Sequence, residues 1–168
     1  MTGVHRAFIL MGSNIHPEPN IRAALQLLRA STELLALSPV WESPAIGSAG
    51  PNFLNLVIYI VTDRDLESLK MEVLRPAENA LGRIRTADKN AQRTIDLDIL
   101  IYDNKILEPA LWLQAHIACP LAGLIPERVD PTTGQTLREI ATQLSQRIPV
   151  RLRPDIQPAG GLLGQLKH

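Results

Sequence analysis

The chain has little cysteine and no long apolar run. Cys119 is the single cysteine among 168 residues, so an intrachain disulfide and a multi-cysteine metal site are both excluded. The apolar run from Ala7 to Met11 is far too short for a signal peptide or a membrane-spanning helix. These absences fit a reducing compartment, and we expect a cytoplasmic protein with no membrane partner.

The chain also lacks an excess of charge of either sign. Its 17 basic side chains balance 17 acidic ones. Balanced charge argues against general binding to nucleic acid, so a basic cluster in this chain would be a local device. The length and a hydrophobic fraction of 45% suit one domain with a real core. We expect residues 1–168 to form a single, monomeric domain with an irregular tail from about residue 154.

Hydrophobic periodicity predicts the order strand, helix, strand, strand, helix, strand over the first 102 residues. The predicted strands span 6–11, 34–41, 53–61 and 93–102, and the helices span 17–30 and 65–81. Pro76 should kink or divide the second helix. This order is that of a ferredoxin-like α/β sandwich, so we predict an α+β fold whose antiparallel sheet carries helices on one face. The other face would be free for a site.

Less regular segments follow these elements. We predict a short hairpin over 104–114, a helical turn over 120–125 and a final helix over 134–147. The tail from residue 151 is rich in proline and glycine and should be irregular after one short strand.

Two aspartates interrupt the last predicted strand. Side chains alternate along a strand, so Thr94, Asp96 and Asp98 share one face, while aliphatic residues occupy the other. The aspartate Cβ atoms would lie about 7 Å apart, close enough for their oxygens to converge on one or two hard cations. Without a cation the like charges repel, and Asp forms strands poorly. The plain alternative is a solvated outer face or a protected sheet edge.

A basic segment leads into this strand. Residues 82–93 carry four cations, Arg83, Arg85, Lys89 and Arg93, with Asp88 as the one acid. Arginine forks hold phosphate oxygens, while carboxylates hold the magnesium that neutralises them, so we favour a nucleotide site. The alternatives are a solvated loop, or salt bridges from these arginines to the aspartates themselves.

Four blocks of the chain resemble the 6-hydroxymethyl-7,8-dihydropterin pyrophosphokinases of folate biosynthesis. They are Gly12-Ser13-Asn14, Ser43-Pro44-Ala45-Ile46-Gly47, Pro51-Asn52-Phe53-Leu54-Asn55, and Gly82-Arg83-Ile84-Arg85 through Arg93-Thr94-Ile95-Asp96-Leu97-Asp98-Ile99. The last block is highly specific, because arginines feeding a Thr-hydrophobic-Asp-hydrophobic-Asp run are hard to reach by chance. Together the blocks cover most of residues 6 to 102.

The resemblance implies an enzyme that transfers the terminal diphosphate of ATP to the hydroxymethyl group of the reduced pterin and releases AMP. It implies two magnesium ions held by Asp96 and Asp98, with Arg83 and Arg93 completing the catalytic set. The residues implied to contact ATP are Glu78, Arg83, Arg85, Arg93, Ile99 and His116.

The resemblance also implies a pterin site. The pterin should lie between Phe53 and another ring, with Asn55 on its polar edge and contacts from the preceding loop, at Ser43, Pro44 and Ile46. Taken alone, Phe53 is an ordinary core aromatic and Asn55 a polar group at a strand edge.

This chain departs from the family pattern in three places. Asn90 stands where the arginine loop usually carries an aromatic residue, and Gln92 stands where a proline usually precedes Arg93. The segment 115–121 reaches its Pro-Leu turn early. His116 therefore either matches the family's phosphate-contacting histidine or takes an aromatic position, with Gln114 at the place of an arginine. A third possibility is a half-buried core histidine.

Three functions are consistent with these residues. The first is an active pyrophosphokinase. The second is a degenerate relative that binds pterin or nucleotide with weak or no transfer. The third is a metal-dependent phosphohydrolase that uses the same two carboxylates.

Overall fold

Seven strands form one antiparallel sheet in the computed structural model, which describes residues 3–47, 49–85, 87 and 93–158. The strands are β1 (His5–Ser13), β2 (Glu33–Leu37), β3 (Trp41–Ser43), β4 (Phe53–Thr62), β5 (Asp96–Tyr102), β6 (Lys105–Ile106) and β7 (Arg151–Leu152). Their order across the sheet is β6-β5-β1-β4-β3-β7, and β2 also pairs with β4.

The helices are α1 (Pro17–Arg29), α2 (Leu66–Ser68), α3 (Arg75–Ala80), α4 (Ala115–Ala122) and α5 (Leu137–Arg147). A π-helical stretch (Leu69–Leu74) joins α2 to α3, so the predicted second helix is one continuous helix that begins after the Asp65 cap. Pro76 lies in the first turn of α3, directly after the wider π turns. The expected division thus takes the form of a change in helical geometry, which accommodates the missing N–H. No helix among the described residues is both long and apolar enough to cross a membrane.

The predicted fold class is confirmed. We call the continuous helix over residues 66–80 the long helix. Alternate residues of β1, β4 and β5, such as Ile9, Ile58 and Leu97, pack with α1 and the long helix on the first face of the sheet. The ferredoxin-like pattern predicted a second face free of helices. There, α4 and α5 cover the part around Leu10 and Val57 and leave the neighbouring end of β1, β4 and β5 open.

The predicted strand over 34–41 is divided in the structure. β2 pairs with the second half of β4, and β3 pairs with its first residues. Between them, Ser38 interrupts the regular ladder of backbone hydrogen bonds, because its side-chain Oγ accepts from the N–H of Val57 at 2.8 Å. Pro39 follows and offers no N–H. The Ser-Pro step inside this apolar run therefore separates two strands.

Three later boundaries also differ from the prediction. The hairpin is formed by β5 and β6 around Asp103 and Asn104, both at positive φ, and a 3₁₀ turn (Pro109–Trp112) follows it. Helix α4 begins at Ala115, well before the predicted turn. The predicted irregular tail contributes Ile156 to the first core, where 6% of its surface is exposed. Residues 159–168 of that tail lie outside the described residues.

Candidate functional site

The strand register places three elements of the predicted site on one row. Gly12 of β1 pairs with Asp96 of β5 on one side and with Asn55 of β4 on the other. One step along the strands, Leu10 lies opposite Asp98. Adjacent strands lie about 4.8 Å apart, so the backbones of residues 96 and 55 are about 10 Å apart on the second face of the sheet.

This row forms part of the floor of a cavity of about 630 Å³, a volume that suits a small organic ligand. Its walls come from the β3–β4 connection on one side and from α4 and the preceding turn on the other. The cavity is lined by Leu10, Gly12, Ser43, Pro44, Ile46, Phe53, Asn55, Arg93, Asp96, Asp98, Leu100, Glu108, Ala110, Gln114, His116 and Ile117. All five residues predicted to contact the pterin line it.

Asn55 has a fixed orientation on the cavity floor. Only 3% of its surface is exposed, and its Nδ2 donates to Ser43 Oγ at 2.8 Å. A Cβ on Gly12 would lie 3.2 Å from Asn55 Oδ1 and 3.8 Å from the Phe53 ring. The absence of a side chain at Gly12 therefore leaves room for this amide oxygen.

The residues after Gly12 tie the two sides of the site together. Ser13 Oγ donates to the carbonyl of Thr94 at 2.5 Å, and the N–H of Arg93 donates to Asn14 Oδ1 at 2.8 Å. Asn14 also donates to the carbonyl of Pro51, at 3.2 Å, just before β4 begins. The sequence predicted only a turn for this block, because these contacts join segments far apart in the chain.

Asp96 is the meeting point of two arginines. Arg83 donates to one of its carboxylate oxygens and Arg93 donates to the other. The salt-bridge alternative raised by the sequence is thus present in the structure. Lys89, the remaining cation of the segment, lies outside the described residues, as do Asn90 and Gln92.

Asp98 opens into the cavity. Water reaches its carboxylate, but the surrounding walls displace much of the solvent. This burial raises the pKa of Asp98 to about 7, and the negative charges of Asp96 and Glu78 act in the same direction. Arg83 and Arg93 oppose this shift. The charged form of Asp98 is therefore disfavoured mainly by burial, and a bound cation would stabilise it.

Glu78 organises the arginines. It is 2% exposed, and its carboxylate accepts from Arg83 at 3.0 Å, from Arg85 at 2.5 Å and from the backbone N–H of Leu97 at 2.9 Å. Arg83 is thereby bridged between the long helix and β5. Two donors remain buried without a hydrogen-bond partner in the described part of the chain, Arg83 Nε and Thr94 Oγ1.

A second cavity, of about 310 Å³, lies beside β5. Its lining combines part of the predicted nucleotide set with cations of the long helix: Lys70, Leu74, Arg75, Glu78, Arg85, Leu97, Asp98, Ile99, Leu107 and Glu108. Asp98 and Glu108 line both cavities. The sequence reasoning did not single out Glu108, whose carboxylate also caps the 3₁₀ turn by accepting from Ala110 N–H.

His116 lies in the first turn of α4 and lines the first cavity, as Phe53 does. It is half-buried, and burial lowers its pKa, although the charge of Glu108 opposes the shift. Burial thus favours the neutral form of its imidazole. The structure places it away from Glu78, Arg85 and Ile99, which line the second cavity.

The donor chemistry of Asp96 and Asp98 fits magnesium. Magnesium takes hard oxygen ligands and usually combines one or two carboxylates with waters and substrate phosphates. The described residues contain no group of three or more His, Cys, Asp or Glu side chains that converges on one ion. The two aspartates thus fit an ion whose coordination a phosphate substrate completes.

Comparison with known proteins points to one family. A family model described as 7,8-dihydro-6-hydroxymethylpterin-pyrophosphokinase (HPPK) matches residues 8–126. The 2-amino-4-hydroxy-6-hydroxymethyldihydropteridine pyrophosphokinases of Haemophilus influenzae and Pseudomonas aeruginosa are 30% and 33% identical to this chain. These alignments cover 88% and 82% of this chain, and 98% and 90% of the two relatives. The resemblance predicted from the sequence is confirmed.

The fold also resembles that of a solved structure. A crystal structure of wild-type Plasmodium falciparum HPPK-DHPS with pteroate aligns with 88% of this chain, with a TM-score of 0.66 and 12% identity. This chain spans 43% of the length of that protein, and at this identity the likeness supports the fold alone.

Proposed function

Since this chain belongs to the 7,8-dihydro-6-hydroxymethylpterin-pyrophosphokinase family, we propose that it transfers the terminal diphosphate of ATP to 6-hydroxymethyl-7,8-dihydropterin, releasing AMP, in folate biosynthesis. The observation that carries the proposal is the row formed by Asp96, Gly12 and Asn55. Along this row, on the floor of one cavity, the backbones of Asp96, whose carboxylate we propose binds a cation, and of Asn55, whose amide is fixed, lie about 10 Å apart.

The pterin occupies the first cavity. Its flat ring lies against Phe53, its N–H groups donate to Asn55 Oδ1, and residues Ser43, Pro44 and Ile46 form the wall. His116 lines the same cavity from α4, so we propose it as the second ring against the pterin, in place of the phosphate contact that was the other interpretation. The fixed Asn55 amide lowers the cost of ordering the site when the ligand binds.

The nucleotide extends from the first cavity to the second, across Asp98. Arg83, Arg85 and Arg93 donate to phosphate oxygens, while Glu78 holds the first two of these arginines in place. Ile99 lines the second cavity, where the nucleoside end of ATP is accommodated.

Asp96 and Asp98 would hold magnesium, with two ions expected. Bound magnesium neutralises phosphate charge and orients the reacting groups. Arg83 and Arg93 both donate to Asp96. On this proposal Arg93, which lines the first cavity, turns to the phosphates when ATP binds. The arginines are therefore already in the site before ATP binds, which reduces the reorganisation needed for the hydroxymethyl oxygen to attack the β-phosphorus.

Release of AMP from MgATP tests the proposal, measured with and without 6-hydroxymethyl-7,8-dihydropterin. Pterin-dependent AMP at an ordinary enzymatic rate is the expected result. Tight binding of both ligands without turnover would instead support the degenerate relative, and pterin-independent phosphate release would support the hydrolase.

We further propose that the protein acts in the cytoplasm as a monomeric single domain without a nucleic-acid partner. The zero net charge and the buried, unpaired thiol of Cys119 support this. Size-exclusion chromatography with light scattering tests the monomer, because a dimer would double the measured mass.

A further inference from the structure

A second charged network lies behind the wall of the first cavity. Glu42 of β3 accepts from Asn52 Nδ2 at 3.1 Å, from Arg151 at 3.1 Å and from Arg153 at 2.7 Å. Hydrogen bonds from Asn52 and then Arg153 hold the pKa of Glu42 below its ordinary value, so the carboxylate is ionised at neutral pH. We call these four residues the Glu42 clamp.

The two arginines of the clamp come from the C-terminal segment. Residues 151 and 152 pair with β3 as an added edge strand, and the N–H of Arg153 donates to the carbonyl of Val40 at 2.8 Å. Arg153 also donates to both carboxylate oxygens of Asp155, at 3.0 and 2.8 Å. Ile156 then enters the first core. The segment is therefore anchored at both ends, and its arginines have a defined position.

The clamp grips both ends of the connection that forms the cavity wall. Glu42 directly precedes Ser43, and Asn52 directly precedes Phe53, which pairs with Ser43 across the strands. Side chains alternate along β3, so Ser43 faces the cavity while Glu42 faces the C-terminal segment. A change at Glu42 is thereby passed to the hydroxyl that orients Asn55.

We propose that the Glu42 clamp is a positioning device for the pterin site, through which the C-terminal segment sets the affinity for the pterin. This inference rests on the proposed function. Glu42 and Arg153 act through Ser43, Asn52 and Phe53 and do not touch the ligand. An isolated exposed ion pair would contribute little. Here Glu42 and Arg153 are half-buried, with 21% and 23% of their side chains exposed, and Glu42 accepts from Asn52 and Arg151 as well, so the network holds a fixed geometry although these last two residues are exposed.

Two variants test the clamp, Glu42→Ala and Arg153→Ala. Glu72→Ala is the matched control, because it removes another glutamate–arginine pair, Glu72 with Arg64 at 3.2 Å, remote from the cavity. Hydrogen exchange of the ligand-free protein should accelerate at residues 43–47 and 49–53 in both clamp variants and stay unchanged in the control. This readout needs no activity.

Kinetics supply the second readout. We expect KM for the pterin to rise about five- to tenfold, because each variant loses a charge-assisted hydrogen bond. The values of kcat and of KM for ATP should change less than about twofold. Glu42→Gln keeps the acceptor for Asn52 and should recover part of the pterin affinity. It also serves if Glu42→Ala fails to fold.

Three outcomes would overturn the clamp: unchanged exchange at 43–53, an equal loss for ATP and pterin, or a control variant that behaves like Glu42→Ala. A wild-type protein without pterin-dependent AMP release would refute the proposed function. Faster exchange in the clamp variants would then still show that the network holds the wall.

Discussion

Replacing Gly12 with alanine tests how closely the cavity floor is fitted. The φ angle of Gly12 lies outside the left-handed region, so the backbone accepts an L side chain without strain. The new methyl group would meet Asn55 Oδ1 at 3.2 Å and the Phe53 ring at 3.8 Å. The second contact is ordinary, whereas the first forces the amide to move by a few tenths of an ångström.

The expected effects on stability and on binding differ. Alanine restricts the unfolded chain and gains about 0.5–1 kcal/mol, while crowding the buried amide costs about 1–3 kcal/mol. The net loss of unfolding free energy should therefore be about 1 kcal/mol. Asn55 cannot retreat freely, because its Nδ2 is bonded to Ser43. Its Oδ1 must shift or rotate, and losing about 1 kcal/mol of its bond to the pterin weakens binding about fivefold.

Isothermal titration calorimetry measures this effect with the pterin and, separately, with a magnesium complex of a non-hydrolysable ATP analogue. Pterin affinity should fall in Gly12→Ala while nucleotide affinity stays unchanged. Gly3→Ala is the control, since its Cβ meets nothing closer than 3.4 Å, at the His5 ring. An unchanged pterin dissociation constant in a folded Gly12→Ala protein would refute the role given to Asn55 and to the missing side chain at Gly12.

Three further predictions concern charge in the site. Asp98→Ala should reduce AMP release by about 10² or more without lowering the melting temperature of the protein measured without ligands, because burial and the neighbouring carboxylates disfavour the charge that the substitution removes; a variant with full activity would disprove the metal assignment. Glu78→Gln should lower the free energy of unfolding in urea by about 2 kcal/mol, because it removes the charge of one of the two carboxylates that Arg83 contacts and weakens the bond from Arg85; a change below about 1 kcal/mol would contradict this. Burial lowers the pKa of His116 in the folded state, so the unfolded chain binds this proton more readily and the contribution of His116 to stability should fall as pH drops below about 6.5, opposite in sign to that of Asp98, whose pKa is raised to about 7. His116→Phe should lose that part of the pH dependence in urea titrations from pH 5 to 8.

The sequence predicted the elements whose patterns are local. The strands β1, β4 and β5 and helix α1 alternate or repeat regularly, and their observed limits differ from the predicted ones by a few residues. Helix α4 was missed because it is buried on nearly every side, from Ala115 to Leu121, and so shows no polar face. The division between β2 and β3 was missed because Ser38 completes its pairing through a side chain.

The same distinction applies to the site. Asp96 and Asp98 could be found from sequence, because two acids in a strand break a local rule. The position of Gly12 beside Asn55 could not be predicted from the sequence, because it depends on the register of three strands. The Glu42 clamp joins residues more than 100 positions apart, and no local pattern reports such a contact.

The arginines of the site show that two opposing interpretations of the sequence are compatible. The sequence offers salt bridges to Asp96 and contacts to phosphate as alternatives. Arg93 donates to Asp96 and also lines the first cavity, in which we propose that the phosphates bind, whereas Arg83 donates to Asp96 from outside both cavities. A guanidinium held by a carboxylate has already lost much of its hydration and rotamer freedom. Exchanging that carboxylate for a phosphate oxygen therefore costs less than capturing a free arginine from water. Under the proposed function, Asp96 would be freed by this exchange to bind a cation, and we therefore expect nucleotide and metal to bind together.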